Sequence, residues 1–541
     1  MTMARASSPL RTVVDGLSAN PRRVWWTSFV LVALLSGLWG LANPPYAAPD
    51  EPSHVIRAFS LDHGELTGKP PSERQAEKLG LTARGDYLVV RAPAAYRDSG
   101  ASVMHCLAHR PFRPASCVRY STSSRDVDAG TYVARHPPAY YGVVGAVTWV
   151  SPPGSVSVYL MRFIGSLIMA AFVATAITAL RRLAAPKVVA VGLAIAITPM
   201  VLFVSSTVNP SSPEITASIA FWVCGLVLIS RAHEQVDDRL VTAVGIAGCV
   251  LALSRQLGPL WLALIALTML GISNRVARQN LARSRRARIW AVAVGASFVA
   301  QLGWDVLAKP LDVSRSGHAS VHLATAEIIR ITTGQAFDRY WEMIGWFGWL
   351  DTPSPALTWV PWTFALAFLV IVAVLWTTRR QVAVLLSLIA ATIVVPIVIE
   401  SATYSDAGAP TWQGRYTLPL AVGVPILAAF ALSSSERGRQ LATRRLLVSV
   451  GAVLGIAQII AFAQNLRRYT VGHYGDLQFW SHARWSPPVS PLVVTLAFIV
   501  IVAAFMWWLL WVVPREDELD HATAVPGDES LASSEKEEVT A

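Results

Sequence analysis

Two adjacent carboxylates, Asp50 and Glu51, follow the first apolar segment of the chain, where a membrane-spanning helix would meet water. Charged residues are costly in hydrocarbon, so a chain that keeps two at a membrane boundary usually uses them. Four prolines within residues 44–52 shape the turn, because proline fixes a backbone angle and removes a donor. A carboxylate here could act as a general base on a hydroxyl group, or the pair could hold a divalent cation such as Mg²⁺ or Mn²⁺.

Basic and polar residues recur at other predicted membrane boundaries. His54 and Arg57 lie three residues apart, which indicates one face of a helix after the carboxylate pair. Arginine binds phosphate in a bidentate manner, so arginines near a carboxylate are typical of transfer from a phosphate-linked donor. The remaining candidates for substrate binding are Arg135, His136, Glu214, Arg255, Asp351 and Arg415.

Each of these residues also has a structural interpretation. The segment 208–214 reads as a helix cap, and the aromatic segment 344–355 as an interfacial anchor. Arg415 could extend its side chain to lipid headgroups, and His136 alone would be an ordinary loop residue. The functional interpretation rests on convergence, because an acid pair and several arginines would all lie at one face of a helical bundle.

The elements that position these residues follow from composition. The chain has 541 residues, of which 53% are hydrophobic and 15% charged, with a mean hydropathy of +0.46. Soluble domains carry about 25% charged residues. We predict an all-α polytopic membrane protein with about twelve transmembrane helices, and a segment at 138–151 that is interfacial or re-entrant. The predicted spans are 24–43, 156–180, 187–207, 213–231, 239–254, 257–273, 288–307, 356–377, 381–400, 416–433, 446–464 and 490–513.

The distribution of arginine and lysine predicts the orientation. With twelve spans, the basic loops fall on one side, which the positive-inside rule makes cytoplasmic. Both termini are then cytoplasmic: residues 1–23 form an amino-terminal segment, and the acidic residues 514–541 form a disordered tail. The transmembrane domain covers 24–513, and its first extracytoplasmic loop, 44–155, is the longest. The net charge of +11 reflects this topology and contact with membrane lipids, not nucleic-acid binding.

Two cysteines lie in that first loop. Cys106 and Cys117 are eleven residues apart, in a segment predicted to face an oxidising compartment. A disulfide and two unpaired thiols both fit this spacing. The chain contains neither a P-loop motif nor a glycine-rich dinucleotide motif, which argues against an ATP-driven pump and against direct use of a nucleotide sugar. The phosphate donor is therefore expected to be a lipid phosphate that reaches the site from the membrane.

Several motifs resemble a known family. They are PDEPSHVIRA at 49–58, RHPPAYY at 135–141, FGWLDTPSP at 347–355 and QGRYTLPLA at 413–421. Together they resemble the bacterial multi-pass family catalogued as domain of unknown function 2142, over about residues 24–513. That family is similar to the C-type (GT-C) glycosyltransferase superfamily, which includes protein mannosyltransferases and lipid A aminoarabinose transferases.

The resemblance implies roles for individual residues. GT-C enzymes use polyprenyl-phosphate sugars and carry an acidic residue just after the first span. By that match Asp50 would be the catalytic base and Glu51 would support it or share the role. Arg255 and Arg415 would bind the donor phosphate, and Glu214 is the nearest candidate for the second acidic signature of the superfamily.

The sequence thus predicts a glycosyltransferase of the bacterial cytoplasmic membrane. It would move a sugar from a polyprenyl-phosphate donor to a cell-envelope glycan or lipid-linked acceptor on the outer face. A transporter or flippase for a lipid-linked or anionic substrate is the alternative, although transporters usually place charges near the midplane of repeated halves. A non-catalytic envelope scaffold is a third. An outer cavity that holds Asp50 beside an arginine would favour transfer, whereas a closed apolar core around Asp50 would favour the scaffold.

Overall fold

The computed structural model describes residues 20–81, 87–309, 324–407 and 412–513, and it is predominantly helical. The predicted tail 514–541 and most of the predicted amino-terminal segment lie outside these residues. The helices are Pro21–Ala42 (α1), Glu51–Asp62 (α2), Glu73–Lys78 (α3), Ala94–Leu107 (α4), Pro138–Gly145 (α5), Ser155–Leu180 (α6), Pro186–Ala196 (α7), Pro199–Ser205 (α8), Ser211–Arg231 (α9), Asp238–Ser254 (α10), Gly258–Ile272 (α11), Arg275–Arg283 (α12), Arg285–Ala308 (α13), Thr325–Gly334 (α14), Ala336–Gly345 (α15), Ala356–Trp376 (α16), Arg379–Ala407 (α17), Gly414–Ala421 (α18), Gly423–Ser433 (α19), Glu436–Leu441 (α20), Arg444–Thr470 (α21) and Pro491–Trp507 (α22).

All twelve predicted spans are helical, but fewer of them qualify as simple membrane spans. In the described part of the chain, nine helical segments are long and apolar enough to cross a membrane, and a tenth is the pair α7 and α8, bent by 64°. The other two, α10 and α11, have only 17 and 15 residues, whereas a full span needs about 20. The sequence predicted about twelve transmembrane helices, and α10 and α11 are the two that are shorter than the rest. The segment at 138–151 is two short helical pieces, α5 and a 3₁₀ turn over Ala146–Trp149.

The bend between α7 and α8 leaves backbone groups without helical partners, and side chains from other helices satisfy them. Trp362 donates to the Ile195 carbonyl at 2.9 Å, and Gln458 donates to the Ile197 carbonyl at 2.9 Å. The hydroxyl of Thr198 caps the start of α8. A broken helix is tolerated inside a membrane protein when its freed backbone groups are covered in this way.

Two membrane-spanning segments, made of three helices, form the centre of the bundle. The span α9 and the joined helices α18 and α19 are almost completely buried, whereas α13 and α17 expose most of their surface. A helix that is apolar all round must be buried in protein or surrounded by lipid. The central helices begin near Glu214 and Arg415, so both residues are held at the start of a buried span.

Contacts across the chain show which helix ends lie together. The end of α13 contacts the long segment between α1 and α6, since Trp304 donates to the Arg135 carbonyl at 2.9 Å. The end of α21 contacts the same segment, because Arg468 donates to the Leu107 carbonyl at 2.9 Å. We call this the long-loop end of the bundle, because it carries residues 43–154, the long loop. At the opposite end Arg182 pairs with Asp237. The basic loops lie at that opposite end, and its cytoplasmic location stays a prediction.

The long loop has its own small apolar core. Strands Leu88–Pro93 (β1) and Asp126–Thr131 (β2) pair in antiparallel fashion, with Leu88 opposite Thr131, and pack against α2 and α4. A second pair, Trp346–Phe347 (β3) and Thr352–Pro353 (β4), lies between α15 and α16. Cys106 and Cys117 form a disulfide, with their Cα atoms 5.8 Å apart. The loop is therefore a folded cap on the bundle.

Candidate active site

The turn after α1 presents Asp50 in an uncommon backbone conformation. Asp50 has a φ of 66°, in the left-handed region, although it is not glycine. It occupies the cap position of α2, but its side chain makes no capping hydrogen bond. A left-handed non-glycine residue costs roughly 1–2 kcal/mol and persists only where its surroundings hold it. Here those surroundings are the partners of the Asp50 carboxylate.

Both oxygens of the Asp50 carboxylate are engaged. Arg415 donates from Nη2 to Oδ2 at 2.5 Å, and the hydroxyl of Tyr132 donates to Oδ1. Burial by itself would raise the pKa of Asp50, but the charge of Arg415 and these hydrogen bonds hold it below its usual value. The side chain keeps 23% of its surface exposed. Asp50 is thus an ionised carboxylate that an incoming molecule can reach.

The start of α18 fixes the position of Arg415. The Gly414 amide donates to the Glu342 carboxylate at 2.5 Å. A Cβ at position 414 would lie 2.2 Å from the Arg339 carbonyl oxygen, so only glycine allows this approach. Arg415 is 5% exposed, and its guanidinium points to Asp50. The glycine before Arg415 is therefore required for the ion pair.

Tyr416 joins the two arginines that the sequence assigned to phosphate. The guanidinium carbon of Arg255 lies 4.5 Å from the centre of the Tyr416 ring, and that of Arg415 lies 5.3 Å from it. Arg255 also donates to the Ser211 hydroxyl at 2.7 Å and lies 3.9 Å from the Glu214 carboxylate. The structure thus brings Asp50, Glu214, Arg255 and Arg415 to one place at the long-loop end.

Two histidines lie next to this group and share a tyrosine. The Tyr141 hydroxyl is 2.8 Å from Nδ1 of His54 and 3.4 Å from Nδ1 of His136. Burial has the largest effect on His54; together with the charges of Arg255 and Arg415, and against the opposing charge of Asp50, it lowers the pKa of this ring to about 3. Burial also places the pKa of His136 well below its usual value. Both rings are therefore neutral hydrogen-bonding groups at ordinary pH.

These histidines predict a loss of stability in mild acid. Below about pH 6.5 an unfolded chain protonates both rings, whereas the folded protein keeps His54 neutral down to about pH 3. Protons then favour the unfolded state, so stability falls as the pH drops through this window. The loss is up to about 1.4 kcal/mol per pH unit for each histidine. We expect His54→Gln to flatten the fall of the thermal unfolding midpoint between about pH 7 and pH 5.

The matched control is His482→Gln, because His482 lies on the surface with 70% of its side chain exposed. Solvent screens the interactions of an exposed side chain, so this variant should retain the pH dependence of the original protein. Identical pH dependence in the His54 variant would contradict the buried neutral assignment.

Glu51, although adjacent to Asp50, lies in a different environment. Its side chain is fully buried, and Arg162 of α6 donates to its two oxygens at 2.7 and 2.5 Å. The Val208 amide donates to Oε1 at 3.0 Å. Arg162 also donates to three backbone carbonyls of residues 40–44, so the pair is fully enclosed. Glu51 is not brought to the group around Asp50, and its predicted catalytic role stays a prediction.

Three further predicted residues make other contacts. Arg57 is fully buried and donates to the carbonyls of Leu66 and His136, at 2.8 and 3.0 Å, which secures the long loop. Asp351 pairs with Arg468 at 3.3 Å. The carbonyl of Arg135 accepts a hydrogen bond from α13. None of these contacts involves Asp50 or Arg415, so their predicted roles in substrate binding stay predictions.

The residues around Asp50 do not fit a divalent cation. In the described residues, no group of three or more His, Cys, Asp or Glu side chains could hold a metal ion. Both oxygens of Asp50 already accept hydrogen bonds, one of them from a guanidinium, and Glu51 is occupied by Arg162. Positive partners on both carboxylates would repel a bound cation.

Three residues of this arrangement escaped the sequence interpretation: Tyr132, Tyr416 and Arg162. Tyr416 lies inside the QGRY motif, so the motif was a signal for it. Arg162 is a lone arginine inside an otherwise apolar span, and a charge there needs a partner. Tyr132 gave no local signal, since it follows an ordinary edge strand, β2.

Comparisons with known proteins give a family and distant structural relatives. A family model described as "Predicted membrane protein (DUF2142)" matches residues 33–424. The crystal structure of ArnT from Cupriavidus metallidurans bound to undecaprenyl phosphate is 14% identical, with a TM-score of 0.39 over 91% of this chain and 76% of that chain. Its apo form is 14% identical, with a TM-score of 0.37 over 90% and 77%. A search of curated proteins gave no match. Because the family model covers more than half of its length, the chain belongs to the membrane-protein family DUF2142.

Proposed function

We propose that this protein is a GT-C-like membrane glycosyltransferase. It moves a sugar from a polyprenyl-phosphate donor to a cell-envelope glycan or lipid-linked acceptor, at the long-loop end of the bundle. One observation carries the proposal: the partly exposed carboxylate of Asp50 pairs with Arg415, and the guanidinium of Arg255 lies over the same Tyr416 ring as that of Arg415. This group combines a proton acceptor with positive charge for a phosphate, where a lipid headgroup would lie.

The reaction assigns one task to each group. The Asp50 carboxylate takes the proton of the acceptor hydroxyl, and the acceptor oxygen attacks the anomeric carbon of the sugar. The bond between that carbon and the phosphate oxygen breaks, and its electron pair leaves with the polyprenyl phosphate. Arg255 and Arg415 stabilise the negative charge on the departing phosphate. No step needs a metal ion.

A cavity beside the site offers space for the lipid part of the donor. It has a volume of about 410 Å³ and lies between α7, α15, α16, α17 and α18. Its lining is mostly apolar, with Met343, Trp362 and Pro396 among the wall residues. Thr417 and Leu418 also line it, and they lie two and three residues after Arg415 on α18. An apolar chain in this cavity would hold its phosphate near Arg415.

The positions of the charges favour transfer over transport. A transporter usually binds its substrate near the middle of the membrane, between repeated halves. The buried ion pairs of Glu51 with Arg162 and of Asp50 with Arg415 instead hold residues at the start of the long loop. The transporter function therefore has less support.

Deletion of the gene in the source bacterium tests the function. We expect the polyprenyl-phosphate sugar to accumulate and one sugar to disappear from the envelope glycans, and expression of the intact protein to restore both. A donor that accumulates only on the cytoplasmic leaflet would support the transporter instead. An unchanged lipid-sugar pool together with an unchanged envelope would reject the proposed function.

A further inference from the structure

The proposed reaction gives Asp50 and Arg415 different partners, yet the structure bonds them to each other. Asp50 must receive a proton from the acceptor, and Arg415 must bind the phosphate of the donor. In the structure Nη2 of Arg415 lies 2.5 Å from Oδ2 of Asp50. While this bond lasts, each carboxylate oxygen already accepts a hydrogen bond, because Tyr132 binds the other one.

We propose that the donor phosphate opens the Asp50–Arg415 pair: Arg415 exchanges the carboxylate for the phosphate, and Tyr132 then holds Asp50 alone as a positioning residue. This inference rests on the proposed function and adds an order of binding to it. The donor binds first, and the acceptor meets a free carboxylate oxygen only afterwards.

Arg415 has a hydrogen-bond donor that no described residue uses. Its Nε is buried and has no hydrogen-bond partner among the described residues. A buried donor without a partner costs about 1–3 kcal/mol, and a charged donor costs more. A phosphate oxygen at Nε would remove this cost, and a second oxygen at Nη2 would complete a bidentate contact. Asp50 occupies Nη2 only, so it leaves the guanidinium incompletely satisfied.

Arg255 adds to the advantage of the phosphate. It lies on the same tyrosine ring as Arg415, and its nearest carboxylate, Glu214, is 3.9 Å away, beyond hydrogen-bond distance. A phosphate between the two guanidiniums gains from both charges, whereas Asp50 bonds only to Arg415. The phosphate is therefore the stronger competitor for Arg415.

Tyr132 keeps Asp50 in place after the exchange. Burial raises the pKa of the Tyr132 hydroxyl well above its usual value, and the Asp50 charge raises it further, so the hydroxyl stays a donor. Once Arg415 bonds to the phosphate, its charge stabilises the Asp50 carboxylate less, and the pKa of Asp50 rises, because that charge is the largest of the effects that lower it. A base with a pKa nearer the working pH accepts a proton more effectively. The exchange therefore both frees and strengthens the base.

Binding of undecaprenyl phosphate to the purified protein in lipid nanodiscs tests the exchange. If Asp50 competes for Arg415, Asp50→Asn should tighten binding by about tenfold, the equivalent of one charge-assisted hydrogen bond. Arg415→Met should weaken binding by a similar factor. Asp50→Ala removes the same charge and is expected to match Asp50→Asn, so it serves if the asparagine variant does not fold.

Glu342→Gln is the matched control. It removes a carboxylate that lies near Arg415, but its amide oxygen can still accept the bond from the Gly414 amide. Direct competition predicts no change in this variant, whereas a general effect of local charge predicts the same tightening in both. Equal tightening, or no tightening in the Asp50 variants, would overturn the exchange.

Tyr132→Phe separates positioning from binding. It should leave the affinity for undecaprenyl phosphate within about twofold, because Tyr132 does not contact Arg415 by hydrogen bond, while turnover falls at an unchanged KM for the donor. A change in affinity as large as that of the Asp50 variants would reject its positioning role. The exchange and the proposed function fail separately: tighter binding with unchanged glycans in the gene deletion would retain the exchange and reject the transfer.

Discussion

Asparagine in place of Asp50 is expected to abolish sugar transfer while the protein keeps its fold. The amide has nearly the same shape and can still accept the hydrogen bond from Tyr132, but it cannot take a proton from the acceptor. A general base contributes about 10²–10⁴-fold to the rate, so turnover should fall by that factor. The measurement is release of polyprenyl phosphate, together with envelope composition in cells that carry only the variant.

The same substitution at the other end of α2 is the control. Asp62 is the last residue of that helix, and its Oδ2 has no hydrogen-bond partner among the described residues. Asp62→Asn changes the same chemical group on the same element, so it should leave transfer within about twofold of the original rate. Retention of more than a tenth of the original turnover by the Asp50 variant would remove Asp50 from the role of base.

Replacement of Arg162 by methionine is expected to cause the largest loss of stability. Methionine fills a similar volume but leaves the fully buried Glu51 without its bidentate partner, and three carbonyls lose their donor. Removal of one member of a buried ion pair costs about 3–5 kcal/mol, because the other charge stays buried and unpaired. The thermal unfolding midpoint in detergent and the yield of membrane-inserted protein measure this loss.

The ion pair at the opposite end provides the comparison. Arg182 and Asp237 also pair, but about a third of each side chain is exposed to its surroundings. Exposed pairs contribute roughly 0–1 kcal/mol, so Arg182→Met should shift the midpoint only slightly. Glu51→Gln belongs with Arg162→Met, since it breaks the same enclosed pair. Equal shifts for the Arg162 and Arg182 variants would contradict the claim that the buried pair of Glu51 and Arg162 contributes more to stability than the exposed pair.

Much of the architecture could be predicted, because the length of an apolar segment can be read directly from the sequence and indicates a membrane-spanning helix. Every predicted span is helical, and the resemblance to DUF2142 is confirmed by the family model. The lengths of the individual helices could not be predicted, because a window of apolar residues does not show where a helix stops. The helices α10 and α11 end early, and α7 breaks before α8, where distant side chains satisfy the backbone.

The candidate site was only partly predictable, because its contacts are remote in sequence. Asp50 and Arg415 are 365 residues apart, and local spacing carries no information about such a pair. The different surroundings of Asp50 and Glu51 were also hidden. They follow from the left-handed backbone at Asp50, which directs one carboxylate to Arg415 and leaves the next one facing Arg162. The sequence placed the charged residues at a predicted membrane boundary, but it did not show which of them form ion pairs in the folded protein.

The separation of Asp50 and Arg415 in the sequence also determines when their ion pair can form during synthesis. At about 5–20 residues per second, synthesis adds Arg415 roughly 20–70 s after Asp50. Throughout that interval the Asp50 carboxylate lacks Arg415, its partner in the folded protein. The hydrogen bond from Arg468 to the Leu107 carbonyl forms later still, since residue 468 is synthesised after residue 415. A ribosome that stops before residue 415 therefore releases a chain that has most of its spans but lacks Arg415, the partner of the Asp50 carboxylate.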